Sequence, residues 1–312
     1  MKEYSYILKS SSDALPLSVL RAEPDDPSAI KGIVQLVHGM NEYKERYLPF
    51  IEYLCAHGYI CIIHDHRGHG KSIKAPDDLG YFYEGGYKAL IEDIHDITVD
   101  IKQYTAGLSG KTDLPFILAG HSMGSMAVRC YIKKYDSEIS KLVVIGCPSL
   151  LPGAKPGLLI VKLFRILNGE RERNKFIAKL VMGNYEKRFK NEGLPHSWVN
   201  SDPAAVRAYN ADRLCNYLFT LNGFENLVKL TILTYTEKGC AMKNPSLPIR
   251  FYSGADDPCG IDEKAFNSAM DLLKKQGYTN VSGKRYENMR HEILNEPEHQ
   301  RVFEEILEFI GS

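Results

Sequence analysis

The stretch Phe116-Ile-Leu-Ala-Gly120-His-Ser122-Met-Gly124-Ser-Met-Ala-Val-Arg129 decides how this chain is read. The apolar run Phe116–Ala119 suits a buried strand, and a helical pattern runs from Ser122 to Tyr135. Only Gly-X-Ser-X-Gly separates them, so the chain must pass from strand to helix in one sharp turn. Such a turn needs small residues on either side of the serine. It strains the serine backbone and lifts the hydroxyl above the sheet. The new helix also points the positive end of its dipole at that place. Ser122 is therefore the expected nucleophile.

Outward from this turn, short apolar runs alternate with longer helical patterns. Ile33–Val37, Tyr59–His64, Leu142–Ile145 and Ile249–Ser253 read as buried strands, and the more polar Val281–Tyr286 as an edge strand. Tyr47–His57, Tyr87–Tyr104, Asp262–Gln276 and Pro297–Ile310 read as helices, while Tyr4–Lys9 and Leu17–Arg21 alternate like antiparallel strands. The alternation predicts an α/β protein, a mostly parallel sheet with helices on both faces. The rhythm breaks between residues 150 and 244, where helical patterns such as Leu158–Leu167 and Asn174–Met182 dominate. The expected organisation is a core of residues 1–149 and 245–312 with a helical lid, 150–244, inserted between two strands.

Composition narrows the class. Apolar residues are 44% and charged residues 25% of the 312, enough for a sizeable buried core. Lys plus Arg equals Asp plus Glu at 39 each, without the basic excess expected of a nucleic-acid binder. The lid departs from this balance, with about fifteen basic residues against about eight acidic ones. Such a bias either decorates a solvated helical surface or attracts an anionic head group or membrane surface. The N-terminus lacks the apolar run of a secretory signal, and the apolar stretch Gly157–Leu167 is too short and too charged to span a bilayer. Seven cysteines, an odd number without a Cys-X-X-Cys pair, suggest reduced thiols and a cytoplasmic setting.

Acyl transfer at Ser122 requires three further parts. Two backbone N–H groups must meet the developing oxyanion. One belongs to Met123, after the nucleophile, and the other to the loop His38-Gly39-Met40 that follows the strand Ile33–Val37, with Met40 the candidate. A base and an orienting acid must come from loops at the same sheet edge. Ile249–Ser253 runs into Gly254-Ala-Asp-Asp-Pro258, and His291 lies after the last strand and before the terminal helix. The resulting order Ser, Asp, His is that of α/β-hydrolases. Physics alone leaves Asp256 and Asp257 as alternatives for the acid, one facing the imidazole and its neighbour capping a turn.

These motifs resemble the serine-aminopeptidase-like hydrolases that include monoacylglycerol lipases and bacterial lysophospholipases. The resemblance rests on His38-Gly39 with Glu42 and Arg46-Tyr47, on Asp65-His-Arg-Gly-His-Gly-Lys-Ser72, on Gly120–Gly124, on Gly254–Asp257 and on His291-Glu-Ile-Leu-Asn-Glu296. It spans nearly the whole chain and is weakest in the lid. It implies an α/β-hydrolase fold and hydrolysis of esters carrying one acyl chain, without metal or organic cofactor. It selects Asp257 as the acid, three positions after Gly254, and maps the oxyanion donors to the amides of Met40 and Met123. Cytosolic and membrane-peripheral members both fit, so the expected partner is a small amphiphilic ester, with lipid contact through the lid an option.

Other readings were weighed against this one. His64-Asp-His-Arg-Gly-His69 crowds metal-ligating residue types, but a zinc site would need their side chains to converge. The family resemblance makes it a structural turn, with Arg67 and Ser72 satisfying backbone groups. Glu92, Asp93, His95 and Asp96 spread over more than one helix face and read as solvated surface. The lid aromatics Phe164, Phe176, Trp198, Tyr209, Phe219 and Phe224 line an acyl tunnel or form the lid's own core. An aminopeptidase would need acidic lid groups to hold a substrate ammonium, for which Glu170, Glu172, Glu186 and Glu192 are the candidates in a basic lid. A thioesterase or acyltransferase would use the same three residues. A catalytically idle binding protein would have no reason to keep serine, base, acid and oxyanion loop together.

Overall fold

All the runs read as strands join one sheet in the computed structural model of the chain, which describes residues 1–108, 113–150, 152–183, 185–237 and 239–312. Leu151, Asn184 and Lys238, inside the expected lid, lie outside the described residues. The strands are β1 (Lys2–Lys9), β2 (Pro16–Glu23), β3 (Gly32–Val37), β4 (Tyr59–His64), β5 (Phe116–His121), β6 (Lys141–Ile145), β7 (Ile249–Gly254) and β8 (Val281–Tyr286). Their order across the sheet is β1-β2-β4-β3-β5-β6-β7-β8. β1 and β2 form a hairpin and β2 runs antiparallel to β4, whereas every later pairing is parallel. Parallel neighbours need long crossovers, and the helical segments between strands supply them.

Period-two alternation shows why the central strands are apolar throughout. Ile33 and Val37, Ile60 and Ile62, Phe116 and Leu118, and Leu142 and Val144 enter one core. Val34 and Leu36, Cys61 and Ile63, Ile117 and Ala119, and Val143 and Ile145 enter the other. The first core is covered by α2 (Gly86–Ala106), α3 (Met123–Tyr135) and α8 (Glu263–Lys275), the second by α1 (Leu48–Ala56) and α9 (His299–Gly311). A strand buried on both faces has no polar side to show. β8, at the sheet edge, exposes Ser282, Gly283 and Lys284, which explains its polar sequence. Among the described residues, four α-helices lie between β6 and β7: α4 (Ala154–Asn168), α5 (Lys175–Met182), α6 (Pro203–Ala211) and α7 (Leu221–Thr234). α7 sinks into the first core through Leu221, Phe224, Leu227 and Leu230, while α4 buries fully only Val161.

Strand order also places the site. From β3 the chain moves outward to β4, then returns past β3 to form β5. The loops after β3 and β5 therefore part in opposite directions, opening a crevice at the carboxyl ends of the strands.

The Asp65–Ser72 loop is held by charge. Arg67 is fully buried and pairs with Asp93 through Nε–Oδ2 at 2.8 Å and Nη2–Oδ1 at 3.0 Å, and with Asp13 at 2.9 Å. Its bond to the Phe82 carbonyl, at 3.3 Å, is secondary, so carboxylates rather than backbone groups satisfy it. Ser72 does bond backbone, accepting from the Ser18 N–H at 2.8 Å. Asp93, expected on a solvated surface, is buried because Arg67 from the loop after β4 and the Ser10 hydroxyl from the β1–β2 connection both bond it. Asp93→Ala should lower stability by about 3 kcal/mol, since it strands a buried guanidinium. Urea denaturation would read the change, and a loss under about 0.5 kcal/mol, the scale of an ordinary surface substitution, would contradict it.

Candidate active site

Ser122 stands between β5 and α3 with φ 53° and ψ −117°, a left-handed backbone that non-glycine residues rarely adopt. Its flanking glycines are required by close approach. A Cβ on Gly120 would sit 2.5 Å from the Gly124 carbonyl oxygen, and one on Gly124 would collide with the Val37 carbonyl. The elbow is thus wedged between β3 and the first turn of α3, whose N-terminus faces the same point.

His291 comes from the loop after β8. Its Nε2 lies 2.8 Å from Ser122 Oγ, and its Nδ1 lies 2.9 Å from Asp257 Oδ2. An ionised carboxylate only accepts, so Nδ1 carries the proton and Nε2 is free to accept from the serine hydroxyl. Asp257 is buried. Burial would raise its pKa, but His291 and the Cys259 N–H, at 2.8 Å from Oδ1, hold it below the ordinary carboxylate range. Asp256 turns outward to an ion pair with Arg188, leaving Asp257 as the aspartate that faces the imidazole. The base loop rests on the β6–β7 connection. Glu292 N–H donates to the Val199 carbonyl at 2.8 Å, and the Trp198 ring lies 5.1 Å from the His291 ring.

A cavity of about 610 Å³ opens over these groups. Met40 and Met123 line it beside Ser122, and Met126, Ile160, Leu180, Met182, Leu218 and Leu227 make most of the rest apolar. Of the six aromatics considered, Trp198, Tyr209 and Phe224 line the cavity. Phe219 is buried against His69 and Phe82, while Phe164 and Phe176 stack on each other at 5.7 Å away from the lining.

A model of the family described as serine aminopeptidase, S33, matches residues 28–298. The chain belongs to the S33 serine aminopeptidase family. It is 26% identical over 284 residues to a monoacylglycerol lipase of Mycolicibacterium smegmatis, covering 90% of this chain and 89% of that one. It is 24% identical to phospholipase YtpA of Bacillus subtilis, over 87% and 92% of the two chains. Among solved structures, a thermostable carboxyl esterase from Bacillus coagulans, in complex with glycerol, superimposes with a TM-score of 0.90 at 26% identity, over 100% of this chain and 98% of that one. The chain has the α/β-hydrolase fold.

In this S33 chain the charged motif residues Glu42, Arg46, His121 and Glu292 gather directly behind the catalytic-type pair. Arg46 grips Glu292 with two bonds, 2.7 and 2.8 Å, and His121 contacts Glu42 at 2.7 Å. The sequence motifs contain all four but assign none of them a role. The available signal was charge at motif positions flanked by apolar strands.

The histidine-rich motif is likewise buried. His38 and His66 rings lie 4.2 Å apart, and His64 packs edge-on to His66 at 5.0 Å. Among the described residues the one set of three potential ligand atoms within 4.8 Å of one another is Asp257, Cys259 and His291. The motif histidines form no such set. In Asp257 and His291 the two facing atoms already bind each other, so the Cys259 thiol simply borders that pair.

Burial, reinforced by neighbouring imidazoles, pushes the pKa of His38, His64 and His66 well below the ordinary value, and burial brings His69 down to about 4. These rings are neutral in the fold but take up protons once unfolded. Their contribution is fully present above the unfolded value of about 6.5 and is lost as pH falls toward 4 and below. Each can cost up to about 1.4 kcal/mol per pH unit within that window. Urea midpoints measured from pH 7.5 to 5 should drop steeply below about 6.5; a flat profile would show that the cluster is not held neutral.

Proposed function

We propose that the chain is a serine ester hydrolase acting on esters with a single acyl chain, of the monoacylglycerol or lysophospholipid kind. Ser122 Oγ attacks the ester carbonyl as His291 Nε2 takes its proton. Asp257 keeps the imidazole in the required tautomer and stabilises the imidazolium. The amides of Met40 and Met123 receive the oxyanion, the alcohol leaves with the proton from His291, and water then releases the acid by the same steps. The observation that carries this reading is a serine–imidazole–carboxylate relay at 2.8 and 2.9 Å on the wall of a mostly apolar cavity. The name of one bacterial relative, a monoacylglycerol lipase, points to the same substrate class, and that of the other, a phospholipase, to lipid esters.

An aminopeptidase would need a free carboxylate for the substrate ammonium. Of the carboxylates that reach the cavity, Glu42 is paired with His121 and Glu292 with Arg46, while the exposed Glu186 accepts the neutral His196 N–H at 2.9 Å and keeps its charge. Of the other candidate acids, Glu192 is paired with Arg290, Glu170 with the Tyr81 hydroxyl, and Glu172 lies outside the cavity lining. Ser122→Ala should lower p-nitrophenyl ester turnover by about 10⁶-fold without unfolding the chain. Monoacylglycerol, lysophospholipid, triacylglycerol and aminoacyl-naphthylamide assayed together would test the substrate class. Preference for triacylglycerol or the naphthylamide would overturn it.

We further propose that residues 150–244 act as the lid, and that its outer face meets lipid. Leu159, Leu163, Ile166 and Leu167 share one face of α4 at helical spacing and are 54–74% exposed, close to the exposed Phe176 of α5. Lys155, Lys162, Lys175 and Lys179 accompany them on the two helices, which suits an anionic lipid surface. No helix among the described residues is long and apolar enough to cross a membrane, so the contact is peripheral. The seven free cysteines accord with a reducing, cytoplasmic location. Ile166→Glu should weaken sedimentation with phosphatidylglycerol vesicles while leaving turnover of a soluble ester unchanged. Equal sedimentation of both proteins would refute the contact.

A further inference from the structure

The loop after β3, the elbow after β5 and the loop after β8 meet at one buried side chain, His121. Its Nδ1 lies 2.7 Å from Glu42 Oε1 and its Nε2 lies 3.1 Å from the carbonyl oxygen of His291. The same Glu42 Oε1 accepts from the Gly39 N–H at 3.2 Å, in the loop carrying Met40, and Glu42 Oε2 accepts from the Tyr47 hydroxyl at 3.0 Å. A carbonyl oxygen and a carboxylate oxygen are both acceptors, so both ring nitrogens of His121 must donate.

We propose that His121 is a positioning residue held permanently as an imidazolium by Glu42, and that this ion pair ties the oxyanion loop and the base loop to the nucleophile elbow. The inference rests on the hydrolase reading given above. The directions of titration agree. Burial would lower the His121 pKa, but Glu42 and the His291 carbonyl raise it above the ordinary histidine value. Burial would raise Glu42, yet His121, Arg46 and the Tyr47 hydroxyl bring it to about 2. The groups facing the ring are Glu42, Arg46 and Tyr47 from the segment after β3, Asp257 from the loop after β7, and His291 and Glu292 from the loop after β8.

Two acids and two bases thus balance in one group, Glu42 with His121 and Glu292 with Arg46, buried except for the partly exposed Arg46. The gap among them is about 10 Å³, no more than one water needs, so Glu42 and His121 are met chiefly by each other. Glu42 and Arg46 come from one segment and His121 and Glu292 from two others. Loss of either pair would let the loops shift independently, and a displacement near 1 Å at a reacting group lowers turnover by about 10²-fold.

Histidine-selective ¹⁵N labelling and long-range ¹H–¹⁵N correlation spectra test the charge state, with the His121 signals assigned by their loss in His121→Gln. Both nitrogens should be protonated at pH 8 in the natural chain, and the ring should be neutral there in Glu42→Gln. Both variants should lose about 10²-fold in kcat with KM within about twofold. A neutral His121 ring at pH 8 in the natural chain overturns the proposal, as does unchanged kcat in either folded variant. If the variants do not fold, the spectrum of the natural chain decides, with the His121 ring signals assigned through bonds from its own backbone resonances. Failure of the hydrolase reading is distinguishable, because the spectrum needs no substrate and the rate of fluorophosphonate labelling at Ser122 replaces kcat.

Discussion

A serine held at φ 53° and ψ −117° stores about 1–3 kcal/mol of backbone strain, and such a conformation persists only where its surroundings over-determine it. Here the surroundings are two close main-chain approaches. Gly120 packs against the Gly124 carbonyl, and Gly124 packs against the carbonyls of Val37 and His38 at the end of β3. The Ser122 N–H is meanwhile fixed to the Ile145 carbonyl of β6 at 2.9 Å. Neighbouring strands on both sides therefore set the direction of the Ser122 hydroxyl. The relay geometry depends on that junction, and the central strands that hold it are locked in place because helices cover both of their apolar faces. Any looseness in β3, β5 or β6 would reach the hydroxyl directly.

Much of this was legible in residue patterns. β4 and β8 match their expected bounds, because an apolar run bounded by turn residues and a polar edge run are both local signals. The helix expected over Tyr47–His57 begins one residue later, at Leu48, after a 3-10 turn over Lys44–Tyr47. Tyr47 instead turns its hydroxyl to Glu42. The residues of the relay were also legible, since each follows a recognisable strand at one sheet edge.

What the pattern concealed was long-range charge pairing. Asp93 looked like one of several solvated acids on α2, and only a fold that brings Arg67 against it makes burial tolerable. Asp256 and Asp257 were indistinguishable as neighbours until the turn after β7 sent one to Arg188 and the other to His291. The Glu42–His121 and Arg46–Glu292 pairs span 79 and 246 residues, separations at which periodicity carries no information. The same limit applies to α7. Its sequence looks like any amphipathic helix of the β6–β7 connection, yet it packs deep against α2 and α3.

The base loop leans on residues 197–200 of that connection through four main-chain oxygens. The carbonyls of Ser197 and Asn200 receive Arg290, those of Trp198 and Val199 receive the N–H groups of His291 and Glu292, and Ser201 bonds Glu296. α7 is anchored in the main core at the other end of the connection. The inserted helices consequently cannot swing as one plate: raising the middle would drag the imidazole from its serine, and raising the end would tear out α7. α4 is fastened as well, through the Arg165–Glu225 ion pair and the Glu170 and Glu172 carbonyls that accept from Asn222 and Leu221, so the roof of the cavity is tied down along its length.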